Sequence, residues 1–254
     1  MVLALQRVEA AGRSDGVFEQ LRGQILTGAI ESGARLPNER ELAARFGVNR
    51  GSVREAVKRL EGLELVAVRH GQGTFVRDAS QSSALEVVDA LLREPRTVTV
   101  DLLRQTLQFR RDIVLRVVEL AARNRTEQHL AAARALIAEE AADGHDPQRA
   151  LEIDVAMNRL LGEASGNLMY QVVTNLFTKL LHRLGPLYYN ERRDHRRSLA
   201  IHRDLLAALE DGDPVRVREI LEVMLDYSET AILREAALLE ARGVIGPHAS
   251  GALP

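Results

Sequence analysis

Between Leu36 and Leu60 the chain reads LPNERELAARFGVNRGSVREAVKRL, and this stretch constrains the fold more than any other. Two short amphipathic helices are written there, separated by a turn in which Gly47 can adopt the left-handed backbone that most residues resist. Asn38 is placed to cap the first helix with Glu41 three residues on, and the apolar stripe of that helix is Leu42, Ala43 and Phe46. Val48 fills the turn and Asn49 is placed to cap the second helix. The apolar residues of the second helix recur at Val53, Ala56, Val57 and Leu60, the spacing of a helix lying on a core. Two such helices around a tight turn predict a helix-turn-helix.

The opposite face of the second helix carries Arg50, Arg54 and Lys58, four residues apart and therefore on one ridge. Gly51 and Ser52 keep the first turn slim, which lets a helix enter a major groove. From Arg40 to Arg59 there are six basic residues against two acidic ones, a local excess of four positive charges in a chain whose formal net charge is −2. Beyond it, Val66 and Val68 on one side and Phe75 and Val76 on the other flank His70-Gly71-Gln72-Gly73, predicting two short strands and a glycine-bearing turn. Arg69, His70 and Gln72 at the tip of this wing offer donors to a minor groove or its phosphates. Ridge, turn and basic tip together point to double-stranded DNA. Any one of them alone describes an ordinary solvated face or a protein-binding winged helix.

These residues resemble the GntR family of bacterial transcription regulators. The resemblance is carried by Leu36-Pro37-Asn38-Glu39-Arg40-Glu41-Leu42-Ala43, Gly47-Val48-Asn49-Arg50, Val53-Arg54-Glu55-Ala56, Leu60 and His70-Gly71-Gln72-Gly73-Thr74-Phe75-Val76. It implies that Arg40, Arg50, Ser52 and Arg54 contact DNA and that His70 and Gly71 reach the minor groove. Asn49 and Gly51 stand where relatives often have Ser or Thr, and Gln72 where some have Lys. The candidate DNA-binding set is thus Arg40, Asn49, Arg50, Gly51, Ser52, Arg54, Lys58, Arg69, His70, Gly71 and Gln72.

At 254 residues, 46% of them hydrophobic, the chain is long enough for two modest domains. No run approaches the roughly 18 apolar residues of a membrane span, and the opening MVLALQRVEAAGR lacks the basic start of a signal peptide. A cytoplasmic protein is expected, and the absence of cysteine excludes disulfides, thiolate metal sites and cysteine nucleophiles. Beyond residue 80 the mixture of Ala, Leu, Arg and Glu favours helix. We read helices at 82–93, 99–123, 127–142, 147–164, 167–188, 194–210 and 214–242. The marked breaks between them are Glu94-Pro95, Asp143-Gly144-His145-Asp146, Ser165-Gly166-Asn167, Asn190-Glu191 and Asp211-Gly212-Asp213. The predicted fold is mainly α. It has a winged helix-turn-helix over 10–80, an all-α antiparallel bundle over 81–242 with room for a small-molecule pocket, a linker at Asp78 to Ser83 between them, and a disordered tail over 243–254.

The bundle resembles the ligand-sensing (FCD) domain of the family's FadR-type branch through Phe109-Arg110, Asp154, Gly162-Glu163-Ala164-Ser165-Gly166-Asn167, Ile201-His202-Arg203, Ala208, Gly212 and Asp213. Many members of the branch hold a divalent metal with an Asp, a His four residues later and two more His on the last helices. Here Asp154 and His202 match, but Asn158 and Met224 occupy two of the histidine positions. No metal and no other cofactor is therefore expected. Members that respond to fatty acyl-CoA also lack the full metal set, and that likeness implies Arg110 facing the ligand with Tyr227 and Ser228 bordering it. Arg110, Asp154, Asn158, His202, Met224, Tyr227 and Ser228 form the candidate effector set. Each has a purely structural alternative, as half of an internal ion pair or as core. His182, His195 and the run from Arg192 to Arg197 read as surface.

The expected protein is not an enzyme but a homodimeric regulator. It would bind a pseudo-palindromic operator and answer to an acyl-CoA, another lipophilic ligand or an organic acid. The alternatives are a metal-dependent sensor of small organic acids and a helical-bundle enzyme. Against the enzyme, the chain has no Glu-x-x-His, His-Glu-x-x-His, Gly-x-Ser-x-Gly or phosphate-cradling loop.

Overall fold

The computed structural model describes residues 13–82, 86–92, 94–142, 146–190 and 193–249. The expectations made for MVLALQRVEAAG, Ser83, Asp143-Gly144-His145, Glu191, Arg192 and the last five residues lie outside that range. The described residues divide into two compact units, one within 13–98 with 246–249 and one within 99–245.

The first unit starts with α1 (Arg13–Leu26), α2 (Glu39–Phe46) and α3 (Arg50–Gly62). Asn38 accepts the Glu41 N–H at 3.0 Å while Glu41 reaches back to the Asn38 N–H at 3.2 Å, so two of the donors orphaned at the start of α2 are satisfied. Gly47 ends α2 at φ 69°, where a side chain would be strained, and two residues later Asn49 caps α3 by accepting the Ser52 N–H at 2.8 Å. Phe18, Leu21, Leu42, Phe46, Val53 and Leu60 share one core, each contributing about 1.5–3 kcal/mol through burial. The wing is β1 (Val66–Arg69) paired antiparallel with β2 (Gly73–Val76), with Val66 opposite Val76 and Arg69 opposite Gly73. The stretch before α2 runs alongside β2, with Leu36 N–H donating to Thr74 O at 2.8 Å and Gly33 N–H to Val76 O at 2.9 Å. The wing is thereby stitched to the start of the helix-turn-helix.

The domain boundary departs from the sequence expectation. Ala79–Gln81 is a turn of 3₁₀ helix, the Ser82 hydroxyl donates to Leu63 O at 2.8 Å, and α4 (Glu86–Leu91) places Val87 and Leu91 on the winged-helix core. The stretch read as a linker therefore packs as part of the first unit. Residues 243–249, expected in the disordered tail, form turns in which Val244 N–H bonds to Leu239 O at 3.0 Å and Gly246 N–H to Pro95 O at 2.9 Å.

The second unit is a bundle of α5 (Val100–Asn124), α6 (Glu127–Ala142), α7 (Pro147–Ala164), α8 (Leu168–Tyr188), α9 (His195–Asp211) and α10 (Pro214–Ala241). Thr99, Asp146, Asn167, Asp194 and Asp213 each accept a backbone N–H at a helix start. Pro147 and Pro214 take the first helical position, where the missing N–H costs nothing. α5 packs against α7, α8, α9 and α10, so its buried face becomes the inner wall of the unit. Among the described residues no helix is long and apolar enough to cross a membrane.

Candidate nucleic-acid interface and ligand chamber

Burial of Val53, Ala56, Val57 and Leu60 turns the other side of α3 outward, exposing Arg50, Gly51, Arg54 and Lys58 with Ser52 half-buried. Arg40 on α2 is exposed too, as are Arg69, His70, Gly71 and Gln72 on the wing. Every predicted DNA-contacting residue but Ser52 is thus open to solvent, although two of them have a second task. Asn49 spends its carbonyl oxygen on the α3 cap, leaving its amide N–H₂ as donor. Arg54 is held in a two-pronged ion pair by Glu39 of α2, Nε to Oε1 at 3.0 Å and Nη2 to Oε2 at 2.8 Å. The bond to Arg54 draws the Glu39 carboxyl below its usual range, so it stays ionised and fixes the guanidinium's direction. Arg69 lies over Phe75, 4.8 Å from the ring centroid, which stiffens the wing. Gly73, at φ 113°, leaves room for the Arg35 side chain, since a Cβ there would sit 2.7 Å from Arg35 Nε.

In the second unit α5, α7, α8, α9 and α10 enclose a narrow chamber of about 70 Å³. Its walls are mainly apolar, with Leu107, Val114, Met157, Leu181, Leu205 and Met224 among them. One side is polar and charged. Arg110, Asp154, Asn158, His202, Met224 and Ser228 of the predicted effector set all line the chamber. Tyr227 does not; it lines a separate outer cleft, accepts the Asp194 N–H at 3.1 Å and lies under Arg197.

Arg110 is 9% exposed, and among the described residues its side chain makes no hydrogen bond or ion pair; Nε is an orphan. Burial pushes its pKa down, opposed by the charges of Glu229 and Asp154. Its neighbour Arg111 points the other way and pairs with Glu229 at 2.9 Å and with Asp226. Two adjacent arginines are thus divided between a structural pair and an uncommitted cation facing the chamber.

Beside it is a cluster of which only part was foreseen. Asp154 Oδ2 accepts from Tyr189 Oη at 2.6 Å, and Asp154 Oδ1 is 3.5 Å from His202 Nε2. His202 Nδ1 lies 2.6 Å from Glu140 Oε2, and the Arg193 Nη2 group is 3.5 Å from Asp154 and 3.8 Å from Glu140. Burial pushes Tyr189 well above its ordinary range, and the Asp154 charge adds to this, so the phenol remains a neutral donor. Burial alone would lower His202 and raise Glu140; the charge of Asp154 on His202 and the contact between His202 and Glu140 reverse both, favouring the charged form of each.

Arg193 corrects the reading of the 192–197 run as surface: its side chain is 5% exposed and faces Tyr188 and Tyr189, with its charge 5.5 and 5.2 Å from their ring centroids. Glu140 was missed because the adjacent carboxylates Glu139 and Glu140, among the alanines of α6, read alike as solvated. The adjacent pair Tyr188-Tyr189, in a chain with four tyrosines, was the available signal.

The donor set does not fit a divalent cation. Asn158 donates its amide to the Asp154 carbonyl of its own helix at 2.7 Å, Met224 offers only a thioether, and a guanidinium stands between the carboxylates. Among the described residues no group of three or more histidine, aspartate or glutamate side chains is arranged to hold a metal ion.

Residues 13–76 match the family described as bacterial regulatory proteins, gntR family, and residues 105–227 match the FCD domain. The HTH-type transcriptional regulator Mce2R of Mycobacterium tuberculosis is 30% identical over 236 residues, covering 91% of this chain and 96% of the relative. The chain belongs to the GntR family of transcription regulators. It carries the FCD type of helical domain. A fatty acid metabolism regulator protein of Edwardsiella ictaluri is 29% identical over 78% of this chain and 82% of its own length. A solved Listeria monocytogenes protein, Lar, described as controlling expression of the agr system, superposes with a TM-score of 0.58 at 15% identity, over 92% of this chain and 99% of that one. Family membership makes the chain an effector-responsive, DNA-binding regulator.

Proposed function

We propose that this regulator acts in the cytoplasm as a homodimer on a pseudo-palindromic operator, and that its DNA affinity is set by an anion with an apolar body bound in the helical chamber. A long-chain fatty acid or its acyl thioester is the ligand class we favour. The observation that carries this reading is Arg110, a buried guanidinium with no hydrogen bond or ion pair among the described residues, facing a mainly apolar cavity. A buried charge left without a partner is costly, and a ligand carboxylate or phosphate would relieve that cost. The relative that regulates fatty acid metabolism supports the same class.

A benzene-sized ligand fills a cavity of order 150 Å³, so at about 70 Å³ the chamber must widen for an acyl chain. Met157 and Met224 supply unbranched, adaptable walls for that change. A second reading, a small organic acid, needs less movement and is favoured by that volume. Any effector must bind differently to the DNA-competent and DNA-incompetent states, since equal binding would shift nothing.

Selection of DNA from a random-sequence pool by the full-length protein tests the first half, and an inverted repeat is the expected outcome. Titration of the selected DNA complex with palmitate, palmitoyl-CoA and a short hydroxy acid tests the second. Failure of all three to alter DNA affinity would remove the proposed ligand classes.

A further inference from the structure

We propose that Arg193 is the resident cation of the cluster formed by Asp154, Glu140 and His202, a tethered guanidinium doing the charge-balancing that a bound divalent metal would otherwise do. The site is then metal-independent by construction. Two carboxylates, Asp154 and Glu140, face one another across the cluster at 13% and 1% side-chain exposure, and two such buried anions require compensation. The Arg193 Nη2 group is within 4 Å of both, and no other arginine or lysine of the described residues forms an ion pair with either. Glu140 Oε1 and Asp154 Oδ1 make no hydrogen bond, so each is held by charge alone, the former by Arg193 and the latter by His202.

The placement of Arg193 explains why the family's histidine positions can be filled by Asn158 and Met224. With a cation supplied from the chain, neither position has to coordinate anything. Asn158 turns instead to its own helix backbone. The replacement also changes what the chamber can select. A guanidinium offers N–H donors in a fixed plane and no open coordination positions, so a ligand gains nothing from chelation. Hydroxy acids and dicarboxylates lose the advantage that a metal would lend them.

Removing the guanidinium should open the cluster to a metal ion: Asp154 and Glu140 would lose the cation they share, and His202, whose two ring nitrogens now meet those carboxylates, would have to turn one of them to the ion. The experiment uses full-length protein stripped with chelator, equilibrated with ZnCl₂, desalted and analysed for zinc by mass spectrometry. Wild type should retain none. Arg193→Ala and the neutral Arg193→Gln should each retain one zinc per chain and melt at a higher temperature with zinc than without, and adding His202→Ala should abolish both effects. Arg193→Lys, which keeps the charge, should behave as wild type. If Arg193→Gln fails to fold while Arg193→Lys folds, the cluster's need for a cation is shown through stability instead. Wild-type protein that retains one zinc per chain, lost on His202→Ala, overturns the proposal. So do folded Ala and Gln variants that take up no zinc. Neither result bears on whether palmitate alters DNA binding, so this proposal and the functional reading fail separately.

Discussion

Replacing Arg110 by Met should make the protein more stable and deaf to its effector. The guanidinium is buried, has no hydrogen-bond partner among the described residues and is pushed down in pKa by desolvation, so the folded state carries the cost of its charge. Exchanging buried charges for apolar side chains of similar volume gains about 1–4 kcal/mol in other proteins. Here Asp154 and Glu229 would lose a favourable neighbour, which places the expectation at about 1–2 kcal/mol. For a domain of this size each kcal/mol moves the melting temperature by roughly 2–4 °C, so a rise of about 2–8 °C is expected by calorimetry of the full-length protein. Arg111→Met is the control: it strips Glu229 and Asp226 of their partner, and its melting temperature should fall. A fall for Arg110→Met as well would refute the reasoning, since it would make Arg110 a structural group with no charge to offer a ligand.

Arg54→Ala should weaken binding to the selected operator by roughly tenfold to a hundredfold at moderate salt. Part of that loss should be recovered by adding Glu39→Gln, because the single variant leaves the Glu39 carboxylate facing phosphates without its arginine; equal affinities for single and double variants in an anisotropy titration would contradict this. Lys58→Ala should lower the slope of log K against log salt by about one, with little change in base preference. Asn49→Ala removes the cap of α3 and should cost about 1 kcal/mol of stability in a denaturant melt. The Glu140–His202 pair predicts a pH signature. The protonated His202 contributes below its unfolded value of 6.5 and is lost as pH rises through its raised folded value. Glu140 contributes above 4.5 and is lost as pH falls through its lowered one. The melting-temperature gap between wild type and His202→Gln should therefore be widest between 4.5 and 6.5 and narrow on the alkaline side.

The elements that local chemistry defines were legible in the chain. Asn38 with Glu41, Asn49, Asp146, Asn167, Asp194 and Asp213 all act as caps at or beside the predicted starts. The outward ridge of α3 follows from periodicity alone. What resisted reading depends on partners distant in sequence. Arg193 is an arginine in an arginine-rich run until Asp154 and Glu140 are brought to it, 39 and 53 residues away in the chain. The domain boundary shifted for a similar reason: the polar stretch at 78–83 resembles a linker, but Val87 and Leu91 return the chain to the winged-helix core. Tyr227 and Ser228, adjacent on α10, fall on different surfaces because one residue of helix turns about 100°.

In the proposed function, an anion caught by Arg110 in the chamber controls how the exposed face of α3 and the wing hold DNA. Fluorescence anisotropy of the selected operator, titrated with wild-type and Arg110→Met protein in the presence and absence of palmitoyl-CoA, tests it most directly. Equal affinities are expected without ligand, with a ligand-dependent change for wild type alone. A ligand effect of the same size in Arg110→Met would contradict it.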